Sequence, residues 1–134
     1  MNMSPVGGGY NVLYYNSSSF SGNYMNLDNI LYSVDTTINL TTLNLNGILL
    51  SNSSSNVVIT LPSVGVTDVG KCIQIQKMGS GNLTINRSDS DTIEDGTSIS
   101  NTSSVETWAN VTLFLAQETY WKFYGAPLGT WVTA

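Results

Sequence analysis

The segment from Val57 to Arg87 leaves a chain like this few ways to fold. It reads Val57-Val58-Ile59-Thr60-Leu61-Pro62, then Gly70-Lys71-Cys72-Ile73-Gln74-Ile75-Gln76-Lys77, then Gly79-Ser80-Gly81-Asn82-Leu83-Thr84-Ile85-Asn86-Arg87. Three short runs rich in branched residues recur, each closed by Pro, Gly or Asn, which is the pattern of strands joined by tight turns. In the middle run Ile73 and Ile75 share one face and Gln74 and Gln76 the other, with Cys72 out of phase. That period of two fits a strand with one side buried.

The same grammar extends along the chain. Thr37 to Thr41 and Leu43 to Leu45 alternate apolar and polar residues, and Asn46-Gly47 follows directly, ahead of Ile48-Leu49-Leu50. Asn-Gly tolerates the positive φ of a type I′ turn, so a hairpin is expected there. Thr92-Ile93, the turn Glu94-Asp95-Gly96 and the return Thr97 to Ile99 predict a second one. Further strands are expected over Val105–Trp108, Val111–Leu115 and Tyr120–Tyr124. With about nine or ten short strands, turns every 8 to 12 residues and no long helical pattern, the expected class is all-β. The expected architecture is an antiparallel β-sandwich or small, jelly-roll-like barrel. No period of about 20–50 residues recurs, which disfavours a solenoid of many turns. The domain plan is an N-terminal arm over 1–34, the β domain over 35–124 and a C-terminal tail over 125–134, the tail serving as an edge strand or second arm.

The arm is punctuated by Gly7-Gly8-Gly9, Asn16-Ser17-Ser18-Ser19 and Ser21-Gly22-Asn23, yet carries Tyr10, Tyr14, Tyr15, Phe20 and Tyr24. Large rings gain free energy only on leaving water. These five residues, with Trp131 in the tail, are therefore expected to bind a partner, in first place a neighbouring subunit. The alternative is a first hairpin folded on its own domain.

Composition narrows the function. Charged residues make up 10% of the chain, against about 25% in ordinary soluble domains. Ser, Thr and Asn fill about a third of it, giving a hydrophilic surface with little charge, suited to packing against other copies or to a harsh exterior. The net charge is -5 and the four basic residues, Lys71, Lys77, Arg87 and Lys122, are scattered, which argues against nucleic acid as a partner. With no histidine the usual general base and the commonest zinc ligand are missing. The single cysteine, Cys72, cannot form an intrachain disulfide and reads most simply as a small buried hydrophobe. Neither a signal-peptide pattern nor a membrane-length apolar run occurs, so no membrane association is expected. No enzyme activity, cofactor or metal is expected.

Two clusters invite chemistry. Asp89, Asp91, Glu94 and Asp95 are close in sequence, but the run lacks the Gly and Glu of a calcium loop, and turn capping explains it more simply. Trp121 and Tyr120 are candidate glycan-stacking residues, although Trp121 shares a strand face with Phe123, as core residues do.

The order of elements from Val57 to Phe123 resembles a module of phage tail fibres, head fibres and other virion surface proteins. The resemblance rests on Ile59-Thr60-Leu61-Pro62, on Gly70-Lys71 opening the strand that ends at Lys77, and on Gly81-Asn82-Leu83-Thr84-Ile85. Thr92-Ile93-Glu94-Asp95-Gly96 and the closing strands Val111–Leu115 and Tyr120–Tyr124 complete it. It covers about half the chain. Gln76 stands where a basic residue is frequent, and Glu94 adds a residue to the turn. The resemblance implies a homotrimer on the virion exterior, assembled in the host cytoplasm. Together with the Met1 start, it leads us to expect a complete small virion protein, in first place a capsid decoration or cement protein contacting the major capsid protein. The alternatives are a short head or tail fibre that binds the host surface, and a carbohydrate-binding module with a host glycan as partner.

Overall fold

The computed structural model describes residues 29–134, which form two packed β-sheets. The chain enters at β1 (Ile30–Ser33) and alternates between the sheets through β2 (Thr37–Asn39), β3 (Gly47–Ser51), β4 (Val57–Thr60), β5 (Cys72–Lys77) and β6 (Leu83–Asn86). β1, β3 and β5 pair in parallel in the first sheet, while β2, β4 and β6 pair in parallel in the second. Each consecutive pair of strands is thus one coil of a short solenoid, with a strand in each sheet.

The remaining strands close one end. β7 (Thr92–Ile93), β9 (Asn110–Gln117) and β10 (Tyr120–Phe123) complete a six-stranded sheet, ordered β1-β3-β5-β9-β10-β7. β8 (Ser98–Asn101) and β11 (Val132–Thr133) complete a five-stranded one, ordered β11-β8-β6-β4-β2. β9 runs antiparallel to β5, β10 to β9, β8 to β6 and β11 to β8.

The all-β expectation holds, but the sheets are mixed rather than purely antiparallel. Alternation and turn residues look alike whether a turn returns the strand beside itself or arches it into the opposite sheet. The coils are also unequal: Ile30 pairs with Ile48, and Ile48 with Gln74. That inequality removes the fixed period by which a solenoid is recognised.

Of the two expected hairpins, the first becomes a crossing between sheets and the second keeps its tight turn but sends its return strand to the other sheet. Asn46 does take a positive φ of 60°, yet the residues before it, Thr42–Asn44, form a 3-10 turn capped by Thr41. The Asn46 side chain accepts from the Cys72 amide at 3.1 Å, so it fixes the neighbouring coil rather than a hairpin. At the second site the tight turn does form: Ile93 and Gly96 exchange backbone hydrogen bonds at 2.9 and 2.8 Å around Glu94 and Asp95, both at positive φ, one position earlier than the Asp-Gly pair, and beyond it the chain leaves for β8 in the other sheet. The expected strand over Val105–Trp108 is a turn, with Val105 and Trp108 both exposed.

Inward positions stack across the coils. Ile38, Ile59, Ile85 and Ile99 align across the five-stranded sheet, opposite Leu49, Ile75 and Val111 in the other. All seven are buried, and full burial of one such side chain stabilises by about 1.5–3 kcal/mol. Equal corners stack too: residues 52–56 lie on 78–82, where the Asn82 amide donates to Asn56 Oδ1 at 3.2 Å and the Val57 amide to the Asn82 carbonyl at 2.7 Å.

Candidate functional site

Period-two alternation gives each sheet an outer face, and the two differ in chemistry. In the five-stranded sheet the outward positions are Thr37, Asn39, Val58, Thr60, Thr84, Asn86, Ser98, Ser100 and Val132, small and mostly polar. In the six-stranded sheet Ile30, Tyr32, Ile48, Leu50, Phe114 and Tyr124 point outward around Gln74, Gln76 and Thr112. Phe114 and Tyr124 meet edge to face, with ring centroids 5.7 Å apart. Among the described residues Lys122 is the one charged residue at the outward strand positions of this sheet, its ammonium 5.4 Å from the Tyr120 ring. Ile30 is 45% exposed, Tyr32 54% and Tyr124 71%, so this face presents an apolar, aromatic and nearly uncharged surface to its surroundings. Surfaces of this kind on folded proteins mark contact sites.

Sequence reasoning did not find this face. Ile48 and Leu50 look like core residues in the sequence, and only the register shows that they share the outer face with Tyr32 and Phe114. Cys72 also belongs to it, half-buried in register with Phe114. As its spacing implies, it is out of phase with Ile73 and Ile75 and lies on the face of Gln74 and Gln76, so it is half-buried there rather than a core residue, and burial pushes its thiol pKa up.

The expected aromatic sites separate. Tyr10, Tyr14, Tyr15, Phe20 and Tyr24 lie outside the described residues. Trp121 is fully buried in the core, so a sugar ring has no access to its face; Tyr120 is half-buried beside Lys122. Trp131 packs against the core of its own domain and its indole donates to the Leu128 carbonyl at 2.9 Å. The most exposed tryptophan is Trp108, at 53%.

The tail is fastened by a polar clasp. Glu106 accepts from the Asn101 side chain at 2.7 Å, from the Thr130 amide at 2.8 Å and from the Thr130 hydroxyl at 2.9 Å. These hydrogen bonds, the backbone one first, hold its carboxyl below the usual range. The buried Lys77 donates to the Ser103 carbonyl; burial lowers its pKa, and Glu106 opposes that shift. At the far end of the β5 approach, Asp68 accepts from the Gly65 amide and pairs with Lys71 at 2.9 Å, which lowers its pKa.

The acidic cluster is used in turns. Glu94 Oε2 accepts from the Phe123 amide at 2.8 Å, and Arg87 donates to the Asp91 carbonyl at 3.3 Å. Burial first, then Asp89, raises the Asp91 pKa. Among the described residues no group of His, Cys, Asp and Glu is placed to hold a metal ion, and no helix is long and apolar enough to cross a membrane. No protein-family model matches the chain, and no curated protein matches it.

Proposed function

We propose that this protein is a structural subunit of a virion surface, a capsid decoration or cement protein. In this reading it forms a homotrimer through the outer face of its six-stranded sheet and contacts the major capsid protein. The observation that carries the reading is the contrast between the two outer faces, one of Thr, Ser and Asn, the other of Ile30, Tyr32, Ile48, Leu50, Phe114 and Tyr124. The fibre-like order of elements from Val57 to Phe123 and the low charge support the same role. Light scattering on the full chain at tens of micromolar tests it: a stable oligomer that Leu50→Glu dissociates without unfolding is expected, and a monomeric parent chain would overturn it.

The exposed Trp108 ring favours a second reading, a glycan contact of the kind a head or tail fibre makes with a host surface. Specific signals on a glycan array that vanish in Trp108→Ala, with the fold intact, would establish it.

A further inference from the structure

Where the two sheets face each other beside the corner 78–82, the apolar rows give way to polar groups. β5 ends and β6 begins at this corner, and Asn101 of β8 faces Leu83 of β6. Lys77 points inward in phase with Ile73 and Ile75, and Asn101 points inward in phase with Ile99. An amine from one sheet and an amide from the other thus enter the interior at the same end, 1% and 0% exposed. Sheets packed face to face lie about 10 Å apart, a gap that a lysine and an asparagine joined tip to tip can span.

The hydrogen bonds around the pair are those an amide needs if an amine is to attack it. Ser103 touches both groups: its amide donates to Asn101 Oδ1 at 3.1 Å, and its carbonyl accepts from Lys77 Nζ. The first bond draws electrons away from Asn101 Cγ, and the second holds Nζ at the same loop residue. On the other side Asn101 Nδ2 donates to Glu106 Oε1 at 2.7 Å and to the Thr130 carbonyl at 3.1 Å. A carboxylate therefore stands at the nitrogen that would leave. Burial disfavours the Lys77 ammonium, which promotes the neutral amine, the nucleophilic form.

We propose that Lys77 and Asn101 join in an intrachain isopeptide bond, with Glu106 as the proton carrier. The Lys77 ammonium passes one proton to the Glu106 carboxylate, and the freed Nζ lone pair adds to Asn101 Cγ while the carbonyl pair moves onto Oδ1. That pair then returns and the bond from Cγ to Nδ2 breaks. The departing nitrogen takes one proton from Nζ and one from Glu106 and leaves as ammonium. Glu106 ends as a carboxylate again, no oxidant is consumed, and the N–H of the new amide replaces Nδ2 as its donor. The bond ties the last residue of β5 to the last residue of β8 and so links the two sheets covalently at the end where Glu106 clasps the tail. It is independent of the assembly reading, because both groups belong to one chain.

Mass spectrometry of the full chain tests the bond. The intact protein is expected to be lighter than its sequence by one ammonia, and its digest to contain a branched peptide joining Lys77 to Asn101. Lys77→Met and Asn101→Ala are each expected to show the full mass of their own sequences. Glu106→Gln keeps the side chain's shape and removes the base; folded by circular dichroism, it is expected to retain the ammonia. A parent chain at full sequence mass, or one without the branched peptide, would overturn the proposal whether or not the variants fold. So would an ammonia loss that persists in Lys77→Met, the mark of a succinimide at a site such as Asn46-Gly47. The branched peptide in folded Glu106→Gln would overturn the role given to Glu106.

Discussion

Gly81 shows how one residue holds two coils together. A Cβ there would run into the Ser55 carbonyl, and one at Gly79 into the Ser53 backbone, because the corner 78–82 lies on the corner 52–56. Gly81→Ala is therefore expected to cost about 1–3 kcal/mol, as overpacking does, measured by chemical denaturation. Trp121→Ala empties a fully buried site and is expected to cost about 3–5 kcal/mol, so it reports on the fold and not on any glycan. Glu106 supplies a pH dependence. Its folded-state pKa is depressed by hydrogen bonds from Thr130 and Asn101, so its contribution is present above the unfolded carboxyl value, about 4.3. It is lost as pH falls through the depressed folded value. The melting-temperature gap between the parent chain and Glu106→Gln is expected to narrow steadily below that unfolded value; a constant gap would contradict it. At this scale the sequence was legible where alternation was clean: Ile73 and Ile75 point inward as their spacing implies. It was illegible for Glu106, whose partners Asn101 and Thr130 are brought to it by the fold.

Elements were legible in position and not in partnership. β4, β5, β6, β9 and β10 lie close to where apolar alternation and turn residues put them. Asn46-Gly47 was misleading because a positive φ serves any sharp reversal, and the hydrogen bonds that decide which strand comes next are made 26 residues away, at Cys72. The tail illustrates the same point. β11 is an edge strand on β8, and Trp131 behind it covers part of the core. Removing residues 130–134 is expected to lower stability by about 1–2 kcal/mol, the value of one partly buried aromatic. An unchanged melting temperature would show that the tail is not needed to cover the core.

At the scale of the whole molecule, the face proposed for assembly carries Lys122 as its only charge at outward strand positions among the described residues. Association through such a face is driven by apolar burial, so the oligomer is expected to persist when salt rises from about 50 to 500 mM, where screened ion pairs would weaken. Dissociation over that range in sedimentation would point to a charged interface elsewhere. By itself the sequence determined the β class, the phase of each clean strand and the poverty of charge, because these follow from side-chain spacing and composition within a few residues. Only the tertiary structure decided that successive strands arch between two sheets in parallel coils, which turns Ile48 and Leu50 outward. Those outcomes depend on backbone hydrogen bonds between residues about 18–26 positions apart, and local pattern carries no record of which distant edge a strand will meet.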